Sequence, residues 1–324
     1  MSRRSYVVRR TLRWVVLLWL LTTIIFVMFR LMPGNPLGYL VGGSFTEATK
    51  QRLLAEFGLN KPVHVQYLLY MENLLLDGEF GVSFHYGESV LNIIVPRMIN
   101  TLLIMVPAMT MVMVFAYVLG SHVGWRRGER IDVVGSYLLV AVRSLPHFVL
   151  GLFLLIIFSY QLDVLPIGGM GPIGTSWTVT EMLTSPVFYQ HWLLPFTTAF
   201  LFFLADPFLL MRGNMVTQKS QDYVELLRLK GLPEKRVQDH ASKNALLPLV
   251  TYLTPAVAIS FGAQILIEVV FSWPGIGRAL VLAVQRNDYP VAQGAFFIIG
   301  FLVITTNLFV DFLYAYVDPR IQND

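Results

Sequence analysis

The sequence contains no cysteine and few charged residues. The absence of cysteine among 324 residues excludes a disulfide, a thiolate metal site and a cysteine nucleophile. Asp, Glu, Lys and Arg make up 14% of the chain, whereas soluble domains carry about 25%. Hydrophobic residues make up 55%. This composition indicates an integral membrane protein rather than a soluble globular enzyme.

Motifs of nucleotide and metal chemistry are also missing. The chain has no G-x-x-x-x-G-K-[ST] phosphate loop and no H-E-x-x-H metal motif, and none of its lysines follows a glycine. The glycine-rich run 167–174 (IGGMGPIG) lacks a lysine, so we interpret it as a flexible connector. We therefore expect this chain to bind no cofactor and no metal. We attribute the net charge of +4 to cytosolic loops and not to nucleic-acid binding.

Long uncharged runs predict an all-α protein with about six transmembrane helices, because about 20 apolar residues cross a bilayer core of ~30 Å. The third run is interrupted by Arg143, and we expect it to bend at Pro146, since proline removes a backbone hydrogen bond within a helix. The predicted spans are Trp14–Met28, Met98–Trp125, 131–162, His191–Met211, Pro248–Ile267 and Tyr289–Val310.

The distribution of basic residues predicts that both termini are cytosolic. This orientation places sixteen Arg and Lys residues inside and seven outside, as the positive-inside rule requires. The first span lacks a small-residue cleavage site after its apolar core and is predicted to remain uncleaved. The predicted organisation is an N-terminus with the first span (1–32), a partly helical external loop (33–97) with a short helix at 45–57, a core transmembrane domain (98–317) and a cytosolic tail (318–324).

A polar segment, Ser220–Pro248, separates the fourth and fifth spans and dominates a predicted cytosolic segment at 212–247. It reads as two short helices. The first covers Asp222–Lys230, with Ser220 as its cap and Gly231 as its end, and the second begins near Pro233. A glycine permits the sharp turn between them because it has no Cβ. A charged helix–turn–helix between two spans suggests a docking surface for another protein.

This segment resembles the "EAA" coupling segment of ABC importer permeases. Glu225 stands first, Leu226 and Leu227 occupy the two alanine positions, and Gly231 and Leu247-Pro248 follow. Further stretches resemble the peptide/nickel-type permease group: DYVELLRLKG, KNALLPLVT, FGLNKPVHVQYLLYMENLLLDGEFGVSF, SLPHFVLG, FSWPGIGRALVLAVQRNDYPVAQG and the C-terminal DPR.

The resemblance implies a type I importer permease in a bacterial or archaeal plasma (inner) membrane, surrounded by lipid. It implies a second homologous permease, two ATPase subunits that bind ATP and Mg, and an external substrate-binding protein. Peptides are the expected substrates, with nickel or an oligosaccharide as alternatives. The residues implied to couple to the ATPase are Glu225, Leu226, Leu227, Gly231, Leu232, Leu247 and Pro248.

Arg143, His147 and Asp206 are candidates for the pathway or its gate, because ionisable groups at membrane depth are usually functional. Each has an alternative. Arg143 could lie at the interface with its charge in water, and His147 could bind a metal, although no second ligand stands at i+4. Asp206 could line a wet pathway, bind a proton, or cap a helix restarted by Pro207. An ion-driven secondary transporter with Asp206 or Arg143 as relay is the alternative function, and it would predict an inverted repeat.

Overall fold

The computed structural model describes residues 3–31, 61–172, 174–175 and 177–317, and these are mainly helical. The predicted helix at 45–57 lies outside the described residues. Two π-helical segments, Asn73–Asp77 and Ile156–Gln161, continue α2 and α5. The helices are α1 (Arg3–Leu31), α2 (Val63–Glu72), α3 (Val90–Trp125), α4 (Arg130–Ser144), α5 (His147–Leu155), α6 (Val179–Thr184), α7 (Pro186–Lys219), α8 (Asp222–Leu229), α9 (Glu234–Val270), α10 (Ile276–Gln285) and α11 (Tyr289–Val317).

Five of these helices, α1, α3, α7, α9 and α11, are long and apolar enough to cross a membrane. The pair formed by α4 and the α5 segment passes the same test when taken together, so the described residues contain up to six candidate spans when this pair is counted as one. Helices suit this environment because they satisfy their own backbone hydrogen bonds where water is absent. The prediction of an all-α protein with about six spans is confirmed.

The third span is broken and not merely bent. Leu145 and Pro146 adopt extended backbone (ψ 137° and 136°), and the helices on either side meet at 99°. The predicted position of the bend is confirmed. Its size differs because Pro146 begins a new helix at His147 instead of lying within a continuous one.

Two internal prolines do not end helices as the sequence suggested. α9 runs without interruption through Pro248 and Pro255, so the predicted short second helix and separate fifth span are wrong. Pro207 likewise lies inside α7, which excludes Asp206 as the cap of a restarted helix. Neighbouring groups compensate for the missing bonds of proline in membrane helices.

The second span also differs from its prediction, because α3 begins at Val90 and not near Met98. Val90, Ile93 and Ile94 are buried. Burial of these side chains stabilises the first turns of α3 and offsets the cost of placing polar residues around Arg97 in the helix. The Arg97 guanidinium donates to the carbonyl of Ile93 (2.7 Å).

The chain divides into two compact units. Among the described residues, the first unit comprises 3–31, 61–100 and 275–309, and the second comprises the described residues from 101 to 274 and 310–317. In the first unit, the buried Asp288 carboxylate accepts a hydrogen bond from the Ser83 hydroxyl and others from the backbone N–H of Phe84 (3.1 Å) and His85 (3.3 Å). Asp288 thus fixes the turn before α3 to the start of α11.

In the second unit, α7 packs against α4, α5 and α9. α3 approaches α7 closely through Gly120 and Gly124: a Cβ at Gly124 would lie 2.6 Å from the carbonyl oxygen of Arg212. Small residues four apart commonly permit such approach between membrane helices. Gly169, in the glycine-rich run interpreted as a connector, contacts this unit: its N–H donates to the Phe271 carbonyl (2.9 Å).

Candidate functional site

The short helix α8 and the turn that follows carry most of the predicted coupling residues. α8 ends at Leu229, and Gly231 adopts a positive φ of +77°, which confirms the predicted turn. Ser220 is not the cap of α8, because Gln221 occupies that position and the Ser220 hydroxyl donates to the Thr217 carbonyl (2.9 Å).

α8 has one buried face and one exposed apolar face. Val224 is completely buried, whereas the side chains of Leu226 and Leu229 are 51% and 79% exposed. Leu227 and Leu232 are half-buried. These exposed leucines give a charged helix a small apolar surface. Together with Glu225 they define the α8 surface, residues 225–232.

Leu247 and Pro248 do not belong to this surface. They lie inside α9 and are half-buried, about 20 Å along the helix axis from Glu234 at the usual 1.5 Å per residue. The structure therefore separates these two predicted coupling residues from the rest.

Trp125, at the end of α3, supports α8 in a way that the sequence did not reveal. The Lys219 ammonium donates to the Trp125 carbonyl (2.5 Å), and both Lys219 and Arg228 place their cations 5.4 Å from the centre of the indole ring. Cations over an aromatic face are attracted by its quadrupole. Because these residues lie far apart in sequence, no local pattern indicated the cluster.

Arg228 also connects α8 to the first residue of α9. Its Nη2 lies 2.8 Å from the Glu234 carboxylate, and its Nε lies 3.2 Å from the second oxygen. This hydrogen-bonded carboxylate raises the pKa of the Arg228 guanidinium above its ordinary value. α8 is thus linked to α3 through Trp125 and to α9 through Glu234.

A second polar cluster joins the broken span to α7 and α9. Arg143 Nε donates to both carboxylate oxygens of Asp206 (3.1 Å each), and its guanidinium carbon lies 4.7 Å from the centre of the Phe202 ring. The Tyr252 hydroxyl donates to the same carboxylate (3.3 Å). The structure therefore brings Arg143 and Asp206 together, and Phe202 and Tyr252 are additional members that sequence reasoning missed.

His147 stands beside this cluster without joining its hydrogen bonds. Its ring lies 5.1 Å from that of Phe202, and its Nε2 is buried with no hydrogen-bond partner among the described residues. No group of three or more metal-ligating side chains occurs in the described part of the chain. The arrangement thus supplies no ligand set around His147.

The buried carboxylate of Asp132 forms a further link that the sequence analysis did not identify. It accepts hydrogen bonds from Arg212 Nε and Nη2 (2.8 Å for Nη2) and from the Gly128 N–H (2.9 Å). Asp132 is 2% exposed. These contacts hold the loop before α4 against the last turns of α7.

Comparison with known proteins gives matches along nearly the whole chain. Residues 113–323 match the family described as binding-protein-dependent transport system inner membrane component, and residues 3–105 match the N-terminal family of such components.

Three similar proteins illustrate the match. The oligopeptide transport system permease protein AppB of Bacillus subtilis is 32% identical over 323 residues, covering 98% of this chain and 99% of that protein. A putative peptide permease protein of Brucella suis is 34% identical over 98% of both chains. The glutathione transport system permease protein GsiC of Salmonella choleraesuis is 32% identical over 98% of this chain and 99% of its own length.

Proposed function

Because the chain belongs to the family of binding-protein-dependent transport system inner membrane components, we propose that it forms half of the translocation pathway of an importer for peptides. Membership makes it a multi-pass permease subunit of an ABC importer. The observation that carries the peptide assignment is the similarity along the whole chain to proteins named for oligopeptide, peptide or glutathione transport. No observation favours nickel or an oligosaccharide.

The partners follow from this assignment. Two ATPase subunits bind ATP and Mg and perform the hydrolysis, whereas this chain contributes no catalytic group. A second homologous permease completes the pathway, and an external binding protein delivers the substrate. The N-terminus and the α8 surface lie in the cytosol, on the side that carries most of the basic residues.

The α8 surface is the docking site for one ATPase subunit. Its exposed leucines supply the apolar contact, and its links to Trp125 and Glu234 supply the mechanical connection to α3 and α9. ATP-driven closure of the ATPase pair displaces α8, and the transmembrane helices follow into a second packing. The cycle is driven because ATP favours one packing over the other.

Arg143 and Asp206 border the pathway, with His147 next to them. Both charged side chains are about two-fifths exposed (42% and 40%) on the surface of this chain. Facing lipid would be costly for ionised groups at membrane depth, so their exposed edges face water or protein.

The test of the docking site is Leu229→Asp, with Leu76→Asp as the matched control. Leu229 and Leu76 are equally exposed (79% and 78%) but lie in different units. We expect Leu229→Asp to reduce the ATPase that co-purifies with the permease by about tenfold, as truncation of interface anchors commonly does, and to reduce ATP-driven peptide uptake in proportion. Leu76→Asp should retain the ATPase. Normal ATPase recovery with Leu229→Asp would disprove the docking site.

Peptide uptake by the wild-type complex tests the substrate assignment and not the docking site. If the complete wild-type complex in proteoliposomes, supplied with binding protein and ATP, accumulates no peptide, then the peptide assignment itself is wrong, whatever the ATPase recovery.

A further inference from the structure

Arg143 is held in a fixed orientation that leaves part of it unused. Its Nε is engaged by both oxygens of Asp206, and the face of its guanidinium lies over the Phe202 ring. The two terminal amino groups of Arg143, with four N–H donors, make no hydrogen bond within the described residues. The side chain is 42% exposed. The unused edge is thus accessible and pre-oriented.

The surroundings place this edge at membrane depth. Asp206 is preceded by apolar residues 199–205 and followed by apolar residues 207–211 before the first cation, Arg212. The extended Leu145-Pro146 backbone begins two residues after Arg143. Non-helical backbone at such depth is tolerated only where it is buried in protein or lines a water-filled cavity. The accessible edge of Arg143 therefore faces water or protein and not lipid.

We propose that the terminal amino groups of Arg143 bind a carboxylate of the passing substrate, and that for a peptide this is the C-terminal carboxylate. This inference rests on the proposed peptide function. A planar guanidinium matches a carboxylate through two parallel N–H···O bonds, which fix the orientation of the ligand as well as its position. The bound carboxylate takes the place of water at the free edge, while Asp206 keeps the opposite edge.

Asp206 and Tyr252 act as positioning residues in this site. The carboxylate of Asp206 holds the guanidinium from behind, and the Tyr252 hydroxyl donates to that carboxylate and limits its rotation. Asp206 also carries a negative charge close to the incoming carboxylate. Its charge therefore weakens substrate binding, so that the contact remains transient, as transport through the site requires.

Because Arg143 attracts the substrate carboxylate and Asp206 repels it, substitutions at the two residues should change substrate binding differently. If the pair only stabilises the fold, then neutralising either residue should be equally harmful. If Arg143 binds a carboxylate, then Arg143→Gln should weaken binding, whereas Asp206→Asn should keep or strengthen it, because the amide oxygen still accepts from Nε but the competing charge is gone.

The experiment measures equilibrium binding to the purified permease–ATPase complex without the binding protein. The probes are a tripeptide with a free C-terminus, its C-terminal amide, and the amide of a tripeptide with a central glutamate, which separates a terminal from a side-chain carboxylate. We expect wild type to bind the free acid about ten- to a hundredfold more tightly than the simple amide, the usual effect of hydrogen bonds to a charged group.

Arg143→Gln should abolish the preference for the free acid over the amide. Arg143→Lys should retain only part of this preference, because lysine keeps the positive charge but lacks the two parallel N–H donors. Arg127→Gln, at an exposed arginine in the loop before α4, is the matched control and should keep it. Equal binding of acid and amide by wild type, no binding of either, or a ratio that survives Arg143→Gln would each overturn the proposal. Glutamate-amide binding equal to that of the free acid would overturn the C-terminal assignment.

The uptake assay in proteoliposomes distinguishes failure of the carboxylate site from failure of the proposed peptide function. ATP-driven peptide uptake by wild type, without any acid–amide discrimination at Arg143, leaves the importer assignment intact and rejects only the carboxylate site.

Discussion

Gly231 is the residue on which the turn after α8 depends. Its φ of +77° lies in the left-handed region, yet a Cβ placed there would have no heavy atom within 4 Å. Backbone conformation, and not space, therefore restricts this position. We expect Gly231→Val to reduce ATPase recovery and uptake strongly, because β-branched residues are outliers at positive φ.

Gly231→Asn is the matched variant, since asparagine tolerates the left-handed conformation. It should retain most of the activity in the same ATPase co-purification and uptake assays. Equal losses in both variants would mean that the bare glycine surface contacts the ATPase directly and that the backbone angle is not the limiting property.

The pair of Asp132 and Arg212 leads to a second prediction about single residues. Arg212→Gln leaves the buried Asp132 carboxylate with the Gly128 N–H and a weak side-chain contact, and should destabilise the fold by about 1–3 kcal/mol. The measurement is the thermal midpoint of the purified protein in detergent. Asp132→Asn combined with Arg212→Gln should recover part of the loss, because the uncompensated charge is removed. A double variant no more stable than Arg212→Gln would contradict this account.

At the scale of helices, the close approach of α3 and α7 determines which substitutions the second unit accepts. Gly124→Ala would place a methyl group 2.6 Å from the Arg212 carbonyl oxygen, so the helices must separate. We expect a lower thermal midpoint, from an overpacking cost of roughly 1–3 kcal/mol. Gly213→Ala is the control, because nothing lies within 4 Å of a Cβ there. Its midpoint should stay unchanged or rise slightly, and equal losses would exclude steric contact as the cause.

The approximate number of membrane spans and their helical structure could be predicted from the sequence, because a long apolar run that crosses a membrane has to satisfy its own backbone hydrogen bonds. Their boundaries could not, since they depend on tertiary compensation. Pro248 and Pro207 resemble helix ends in sequence, yet both helices continue through them. Pro146 shows the opposite outcome: the predicted kink is a complete break with a 99° angle.

Residues of the candidate sites could be predicted where the requirement is local, but their partners could not. Gly231 was identifiable because its requirement is local. The pairing of Arg143 with Asp206, and the support of α8 by Trp125, join residues that are remote in sequence. Each charged residue could be selected as unusual at its depth, but its partner depends on how the helices pack.

For the whole molecule, the absence of cysteine makes the orientation directly measurable. We expect a single cysteine at Thr175 to react with a membrane-impermeant maleimide in intact cells or spheroplasts. A single cysteine at the exposed Ser220 should react only after permeabilisation, because the basic residues around it favour the cytosol. The reverse labelling pattern would invert the topology and place the α8 surface beyond the reach of a cytosolic ATPase.

Because α9 is one uninterrupted helix, it can transmit a displacement from one of its ends to the other. At 1.5 Å per residue, its 37 residues measure about 55 Å, with arms of about 21 Å and 33 Å on either side of Pro248. If the helix pivots near Pro248, a push of about 2 Å at its Glu234 end swings the Val270 end by about 3 Å in the opposite direction. A single helix that pivots in this way would narrow the passage at one membrane face while widening it at the other.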